Sequence, residues 1–296
     1  MSVTAEAIGQ AKAQPARAEV VPLPYDIWLI GGAFALLCVG LIMVVSTSVS
    51  IAEHRDLTQL YYFKRQLFSA ILGITGAIVL TRTPLSYFEQ WSTVVLFVAI
   101  AFLIAVLIPG LGHEVNGSMR WLGFGFFTIQ TSEPAKVAVA IYVAAYLVRH
   151  IKQVRTDFIG FIKPIGVITL IAGLLLLEPD FGTAVVLFTT VLGMLFLAGV
   201  PYIRFFFWGL AALSALAALS MLAPYRLARL MTFMDPWSDP FNTGFQLTQA
   251  LIAFGRGEWF GVGLGNSVQK LFYLPEVHTD FVFAVIAEEG GFVGCL

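Results

Sequence analysis

Charged residues are scarce in this chain. Only 12% of its 296 residues are Asp, Glu, Lys or Arg, whereas a typical soluble domain has about 25%. Hydrophobic residues make up 58% of the chain, and the mean hydropathy is +0.86. The 17 basic and 18 acidic residues nearly balance, so no excess of positive charge points to a nucleic acid partner. This composition argues against a soluble globular domain and is typical of a polytopic membrane protein.

The chain also has little cysteine, and its first residues lack the apolar core of a secretion signal. Cys38 and Cys295 both lie in apolar runs, which favours two small buried side chains over a disulfide. Residues 1–24 are polar and Ala-rich, so we predict a disordered tail and not a cleaved signal peptide. Lys12 and Arg17 favour a cytoplasmic location for this tail, because positive flanks stay inside.

Long apolar runs dominate the remainder, residues 25–296. A membrane-spanning helix needs about 20 apolar residues, and fewer where its flanking side chains snorkel. We therefore predict an all-α polytopic membrane domain with eight transmembrane helices. The last run is interrupted by the end of the chain, so we expect the sequence to be truncated. The predicted spans are 27–47, 66–82, 92–109, 134–149, 163–178, 182–200, 203–223 and 280–296.

One large polar segment, residues 224–279, interrupts these runs. If the N-terminus is cytoplasmic, the basic loop at 149–163 is cytoplasmic as well and the acidic loop at 178–182 faces outward, as the positive-inside rule requires. Counting spans then places 224–279 outside the cytoplasm. Polar loops of this length are usually functional.

Ionisable residues cluster where the fourth predicted span begins. A Gly-broken stretch containing Arg120 precedes it, and such irregular backbone is tolerated at membrane depth only against protein or water. Glu133 and Lys136 are three residues apart and share one helix face. An isolated charge inside a span costs about 2.5–3.5 kcal/mol. Either these three residues line a polar cavity that opens outward, or Glu133 and Lys136 form a structural ion pair near the interface.

Two pairs of carboxylates lie in or beside apolar runs. Glu178 and Asp180 occupy the turn of LLLEPDFGTA, where they form either a solvated hairpin or part of a site. Glu288 and Glu289 are adjacent in the last run and point about 100° apart on a helix. At least one of these two must face protein or a cavity.

The long loop contains two patterned segments. Residues 243–254 place apolar side chains around Gln246 and Gln249, which predicts an amphipathic helix at the membrane interface. Residues 255–267 are glycine-dense, but their spacing does not match a dinucleotide-binding fingerprint. Tight turning is the simpler explanation for these glycines, and close approach of the backbone to a phosphate is the alternative.

The loop ends in a short run of potential ligands. Glu276, His278 and Asp280 alternate just before the last predicted span. Asp280 is also placed to cap the following helix. Three ligands within five residues of irregular loop are a weak signal for a metal site, so the metal remains unassigned.

Several long motifs of this chain resemble one family. They are NGSMRWL, TSEPAK, LLEPDFGTA, MDPWSDPF, GFQLTQALIAFGRGEWFGVGLGNSVQK and LPEVHTDFVFAVIAEEGG. These runs resemble the SEDS family (shape, elongation, division and sporulation proteins), and the resemblance extends over about residues 27–296. The stretch from FGRGEWF to HTDFVF is more similar to the division members than to the elongation members. The family is expected to have ten spans, so this chain has two fewer.

The resemblance implies a peptidoglycan glycosyltransferase of the bacterial cytoplasmic (inner) membrane that polymerises lipid II on the outer face during cell division. The family's essential aspartate matches Asp280, and its polar-cavity positions match Arg120, Glu133, Lys136 and Asp180. The implied partners are lipid II, a cognate class B penicillin-binding protein (the septal transpeptidase) and other division proteins at the septum.

The chemistry of such a reaction assigns roles. Converting an α-linked disaccharide pyrophosphate into a β-1,4 bond is an inversion, so it needs a carboxylate base and positive charge on the departing phosphates. We predict Asp280 as the base and Arg120 with Lys136 as the neutralising cations, with a divalent cation, Mg or Mn, as a candidate cofactor. Glu133 would orient Lys136, and Asp180 would support the cavity wall or help to hold a cation.

Three further residues complete the predicted substrate contacts, and two rival functions remain open. Gln246, Gln249 and His278 are expected to contact lipid or glycan. One rival is a lipid II flippase, since polar residues within spans often mark a transport pathway. The other is a division scaffold without chemistry. A flippase needs access from both sides of the membrane, whereas the charged residues here gather at the predicted outer face, and a scaffold would tolerate replacement of Asp280.

Overall fold

The computed structural model describes residues 26–115, 118–124, 127–221 and 224–296, so the predicted tail at 1–24 lies outside the described residues. Helices make up most of the described chain. The chain divides into two compact units, one comprising residues up to Ser69 together with Gln249–Leu296 and the other comprising Ala70–Thr248. We describe each unit by itself.

Ten α-helices are present among the described residues, and each of the eight predicted spans coincides with one of them. Asp26 starts the first helix by accepting hydrogen bonds from the backbone N–H groups of Trp28 (2.9 Å) and Leu29 (3.2 Å). The helices are α1 (Ile27–His54), α2 (Tyr61–Arg82), α3 (Leu85–Leu107), α4 (Ser132–Thr156), α5 (Phe158–Leu177), α6 (Phe181–Leu197), α7 (Tyr202–Met221), α8 (Pro224–Met234), α9 (Phe245–Gly257) and α10 (Val282–Cys295).

The predicted count of eight membrane spans is not confirmed. Six of the described helices, α1 to α5 and α7, are long and apolar enough to cross a membrane. Helix α6 is apolar but has only 17 residues. Helix α10 has 14 residues and is broken at Gly291, whose φ of 65° and ψ of −165° are not helical. The structure is therefore that of a polytopic membrane protein in which six of the eight predicted spans are candidate membrane helices and the other two, α6 and α10, are shorter.

The prediction of a purely α-helical fold was wrong at one place. Part of the Gly-broken stretch before α4 forms a small antiparallel sheet of three strands, β1 (Gly112–Val115), β2 (Ser118–Phe124) and β3 (Phe127–Gln130), in the order β1-β2-β3. The sheet packs against α3 and α4. Strand pairing satisfies backbone groups that an irregular loop would leave open, which explains how a non-helical segment is stable there.

Each unit has its own apolar core. In the unit Ala70–Thr248, helices α3 to α6 pack together around fully buried side chains that include Leu103, Phe161, Ile168 and Leu187. In the other unit, α1 packs against α10 and against a π-helical turn at Gln269–Tyr273, around a core that includes Met43, Leu274 and Val285. These two cores position the two groups of polar residues described next.

Candidate functional site

Arg120 binds the end of helix α5. Its Nε donates to the backbone oxygen of Glu178 (3.1 Å), and its Nη2 donates to the backbone oxygen of Pro179. The last carbonyl groups of a helix have no partners within the helix, so a guanidinium at this point satisfies them and complements the helix dipole. Arg120 thus ties strand β2 to the α5–α6 turn.

Glu178 is buried, which rules out the solvated hairpin. Its side chain is 1% exposed, and its Oε2 accepts a hydrogen bond from the Thr131 hydroxyl (3.2 Å). Its Oε1 has no hydrogen-bond partner among the described residues. Burial raises the pKa of Glu178 to about 7, although the Thr131 hydrogen bond opposes the rise.

Asp180 is also buried and caps helix α6. Its carboxylate accepts from the Thr183 backbone N–H (3.3 Å) and from the Thr183 hydroxyl (2.8 Å). This places Asp180 beside the Arg120–Glu178 contact as a support for the turn. Its predicted role in the wall of a site is compatible with this position but is not tested by it.

Glu133 and Lys136 form the ion pair that their spacing predicts. Lys136 Nζ lies 2.9 Å from Glu133 Oε1 on the first turns of α4, and the side chains are 33% and 59% exposed, respectively. Exposed pairs of this kind are worth little to stability. The pair is therefore free to exchange partners with a ligand.

The predicted amphipathic helix at 243–254 is confirmed as a helix by α9. Gln246 is exposed, and Gln249 accepts a hydrogen bond from the Gln269 side chain (3.1 Å). Ala250 and Ala253 are buried on one face, whereas Leu251, Ile252 and Phe254 are exposed. Gln249 thus links α9 to the π-helical turn.

The glycine-dense segment after α9 packs backbone to backbone against α10. Where α10 breaks at Gly291, the carbonyl groups of Glu288 and Glu289 accept from the N–H groups of Val262 (3.0 Å) and Gly263 (3.1 Å). In return, the N–H groups of Phe292 and Val293 donate to the carbonyl groups of Glu258 (2.9 Å) and Trp259 (3.1 Å). The glycines allow this close approach, so tight backbone packing accounts for their density.

Both glutamates of the last run are buried and paired. The backbone N–H of Val268 and the hydroxyl of Ser267 donate to the Glu288 carboxylate, and Arg256 lies 3.6 Å from it. Glu289 pairs with Lys270 at 2.9 Å. Sequence reasoning required a partner for at least one of these carboxylates, and the structure supplies partners for both.

Asp280 is exposed and uncommitted. Helix α10 begins at Val282 with Phe281 in the capping position, so the expected capping role of Asp280 is not observed. The Asp280 carboxylate makes no hydrogen bond or ion pair with another described residue. The turn that carries it is closed by the Glu276 carbonyl, which accepts from the N–H groups of Thr279 (3.1 Å) and Phe281 (3.3 Å). Such a carboxylate is available to take a proton from a substrate hydroxyl.

His278 lies in the same turn and lines a pocket of about 350 Å³. Its ring stands edge-on to Tyr62, with 5.0 Å between the centroids. Burial lowers the pKa of His278 below its ordinary value, Arg55 acts in the same direction, and Glu276 opposes them. The imidazole is therefore neutral at pH 7.

No group of three His, Cys, Asp or Glu side chains in the described part of the chain is arranged to hold a metal ion. Glu276, His278 and Asp280 therefore do not form an all-protein metal cage. The two cysteines, Cys38 and Cys295, are free, and both are half-buried where full burial was predicted.

Some residues at these sites were missed by sequence reasoning. Lys270 and Arg55 line the His278 pocket, and Tyr62 packs against the His278 ring. Arg55 and Tyr62 belong to none of the family motifs, and Lys270 ends one of them without having been assigned to a site. A lysine inside the aromatic run QKLFY was the one available hint, because a charge among apolar residues usually has a partner. Arg55 and His278 are far apart in the sequence, so no local pattern could show that they line the same pocket.

Fold and polar clusters together define the class: a multi-pass membrane protein with ionisable side chains gathered in the turns and loops between its apolar helices. The chain belongs to the cell cycle protein family of FtsW, RodA and SpoVE, whose family model matches residues 27–296. This confirms the resemblance to the SEDS family that the motifs indicated.

Three similar curated relatives are each named probable peptidoglycan glycosyltransferase FtsW. The relative from Hahella chejuensis is 54% identical over 92% of this chain and 68% of its own length. The relative from Pseudomonas fluorescens is 52% identical over 92% of this chain and 67% of its own length. The relative from Nitrosococcus halophilus is 50% identical over 99% of this chain and 73% of its own length. The chain thus spans about two thirds to three quarters of these relatives.

Solved structures support the fold. A chain from a study of structural coordination of polymerization and crosslinking by a peptidoglycan synthase complex matches with a TM-score of 0.66 and 27% identity, over 92% of this chain and 73% of that chain. The rod shape determining protein RodA of Thermus thermophilus matches with a TM-score of 0.59 and 22% identity, over 92% of this chain and 69% of that chain. The second match concerns the fold alone.

Proposed function

We propose that this chain is a peptidoglycan glycosyltransferase that polymerises lipid II into β-1,4-linked glycan strands and releases undecaprenyl pyrophosphate. The observation that carries the proposal is family membership, with curated glycosyltransferase relatives about half identical over at least nine tenths of the chain. The uncommitted carboxylate of Asp280 supports it, because an inverting transfer needs a base at the acceptor hydroxyl.

The proposed step is a single displacement. Asp280 takes the proton of the acceptor's 4-hydroxyl as that oxygen attacks the anomeric carbon of the donor sugar. The bond from that carbon to the pyrophosphate oxygen breaks, and its electron pair leaves with the pyrophosphate. Attack from the face opposite the leaving group converts the α-link into a β-link.

Negative charge grows on the pyrophosphate as this bond breaks. We assign its neutralisation to Arg120 and Lys136. Arg120 would exchange its contacts with backbone carbonyls for phosphate oxygens, and Lys136 would bind phosphate oxygens while it keeps its contact with Glu133. Glu133 would keep Lys136 oriented, and Asp180 would hold the α5–α6 turn through its cap on α6. Gln246, Gln249 and His278 are the proposed contacts to lipid and glycan.

A divalent cation, Mg²⁺ or Mn²⁺, would have to take most of its ligands from the substrate phosphates, since the described residues offer no three-ligand group. Such an ion would add positive charge at the pyrophosphate. Chelation of divalent ions followed by readdition of each metal during a polymerisation assay tests this proposal.

We place the protein in the bacterial inner membrane at the division septum, with a cytoplasmic N-terminus and residues 224–279 outside. A class B penicillin-binding protein, other division proteins and lipid II are the proposed partners. The structural neighbour from the peptidoglycan synthase complex, in which polymerization and crosslinking are coordinated, supports the pairing with a transpeptidase.

The deciding experiment is lipid II polymerisation by the full-length protein, co-purified with its cognate transpeptidase, as wild type and as Asp280→Asn. Asparagine is nearly isosteric with aspartate but is not a base. We expect glycan ladders from the wild type and none from the variant. Asp157→Asn is the matched control, because Asp157 is an exposed aspartate at the far end of α4 and outside the proposed site.

Equal ladders from the wild type and Asp280→Asn would refute the assignment of the base. If neither protein makes ladders, lipid II flipping in liposomes becomes the next measurement, and flipping without polymerisation would favour the transporter. A scaffold would polymerise nothing and flip nothing, but it would still recruit division proteins when Asp280 is replaced.

A further inference from the structure

The pocket that His278 lines also contains two cationic side chains, Arg55 and Lys270, that the proposed mechanism does not use. It measures about 350 Å³, near the lower end of ligand pockets, and lies entirely within the unit formed by residues up to Ser69 and Gln249–Leu296. Of its nine lining residues, two are cationic, two are histidines and one is acidic. They are Ile51, His54, Arg55, Lys270, Leu274, Pro275, Glu276, Val277 and His278.

One wall of the pocket is built around Arg55. This exposed residue follows the last residue of α1, and its Nη1 donates to the Tyr62 hydroxyl (3.0 Å). Tyr62 in turn packs edge-on against the ring of His278. This chain of contacts orients the guanidinium and leaves most of its five N–H donors available for another partner.

The second cation of the lining is Lys270, whose ammonium group already has partners in the protein. Its Nζ contacts Glu289 (2.9 Å) and the Ser46 hydroxyl (3.3 Å), and its backbone oxygen accepts from Ser50 (3.2 Å). The lysine is therefore fixed to both α1 and α10. Glu276, the one acidic lining residue, accepts a hydrogen bond from the Thr279 hydroxyl (3.0 Å).

We propose that this pocket binds the pyrophosphate group of a lipid-linked substrate through Arg55 and Lys270. The inference rests on the proposed function, because each polymerisation step joins two lipid-linked disaccharides and must hold two pyrophosphate groups at once. Arg120 and Lys136 are assigned to the group that leaves, and this pocket takes the other. An arginine fork with a lysine point charge is the usual combination for phosphate oxygens.

The pocket is joined to the proposed base by a short turn. His278 lines it, and Asp280 follows two residues later in the turn closed by the Glu276 carbonyl. Binding of a pyrophosphate against Arg55 and His278 would thus hold the turn in place and, with it, the carboxylate of Asp280. The pocket is too small for the disaccharide as well, so the sugars must extend out of it.

Equilibrium binding to the full-length protein in detergent tests the proposal, with undecaprenyl pyrophosphate and inorganic pyrophosphate as separate probes. Arg55→Gln should weaken binding of undecaprenyl pyrophosphate about tenfold or more, the loss expected for a hydrogen bond to a charged group. Arg55→Lys should recover part of the loss. Arg82→Gln is the matched control. Tyr61 begins α2 and Arg82 ends it, so the helix separates these two residues by about 30 Å.

The outcomes are separable. Weaker binding of undecaprenyl pyrophosphate in Arg55→Gln, but not in Arg82→Gln, supports the proposed site. If inorganic pyrophosphate binding weakens in parallel, the phosphate group is sufficient for recognition by Arg55. The proposal would be overturned if Arg55→Gln bound undecaprenyl pyrophosphate as tightly as the wild type does, or if Arg82→Gln weakened this binding equally. It would also be overturned if the wild-type protein bound inorganic pyrophosphate but not undecaprenyl pyrophosphate. Glycan ladders from the wild type report on the proposed function independently, so either idea can fail while the other stands.

Discussion

At the scale of single residues, Glu178 shows how burial changes a side chain that looks ordinary in the sequence. The motif LLLEPDFGTA places it in a turn, where a solvated carboxylate is the simplest expectation. In the structure, strand β2 and the start of α4 cover the turn, and Thr131 and Arg120 approach it. Burial therefore raises the pKa of Glu178 to about 7.

This shift predicts a pH dependence of stability. The pKa in the folded protein lies above the ordinary value of 4.5, so folding takes up a proton between the two values. The contribution of Glu178 to stability is thus present in full below about pH 4.5 and is lost as the pH rises through about 7. Glu178→Gln, which stays neutral, should flatten the fall of the thermal unfolding midpoint between about pH 5 and 8.

The control for this experiment is Glu114→Gln. Glu114 is an exposed carboxylate on β1 of the same unit. Its replacement should leave the pH profile of the unfolding midpoint as in the wild type. A wild-type profile in Glu178→Gln would mean that another group titrates in this range.

At the scale of elements, the junction of α9, the glycine-dense segment and α10 depends on close backbone contact. A Cβ atom at Gly257 would lie 2.0 Å from the carbonyl oxygen of Ala287, whereas a Cβ at Gly255 would meet nothing within 4 Å. Both glycines belong to α9, so they share helical surroundings and differ in what faces them.

This difference predicts opposite effects of one substitution. Gly257→Ala must separate α9 from α10 and should destabilise the protein by about 1–3 kcal/mol, as overpacking does. Gly255→Ala should be neutral or stabilise by up to about 1 kcal/mol, because alanine loses less entropy in a helix. Thermal unfolding in detergent compares the two. Equal effects would show that the backbone contact does not limit packing.

The same junction explains why the last predicted span is not one continuous helix. The helix breaks at Gly291, and four of its backbone groups pair with residues 258–263 instead of with each other. Adjacent glycines, Gly290 and Gly291, permit this conformation, since a φ of 65° strains other residues. The apolar pattern alone predicted an uninterrupted helix from 280 to 296.

At the scale of the whole molecule, orientation in the membrane remains a prediction from charge. The basic loop after α4 is expected inside, and residues 224–279 are expected outside. A variant without its two native cysteines, Cys38 and Cys295, allows single cysteines to be placed on each side. Ser238→Cys and Lys152→Cys are suitable positions because both residues are exposed.

A membrane-impermeant maleimide should label Ser238→Cys in intact spheroplasts. It should label Lys152→Cys only after the membrane is permeabilised. The reverse pattern would invert the topology and remove Asp280 from the side where glycan is proposed to be made. Labelling of both positions in intact cells would show that the spheroplasts leak and calls for a repeat with a cytoplasmic marker protein.

The sequence by itself determined the class of protein, the position of each apolar helix and the family, because long apolar runs and long motifs are local properties. It also placed Glu133 and Lys136 on one helix face, since residues three apart are neighbours there, and the structure shows them paired. Only the tertiary structure decided that Glu178 is buried, that Arg120 binds the end of α5, and that Arg55 and His278 line one pocket. Those facts join residues tens to hundreds of positions apart, and packing alone sets such distances.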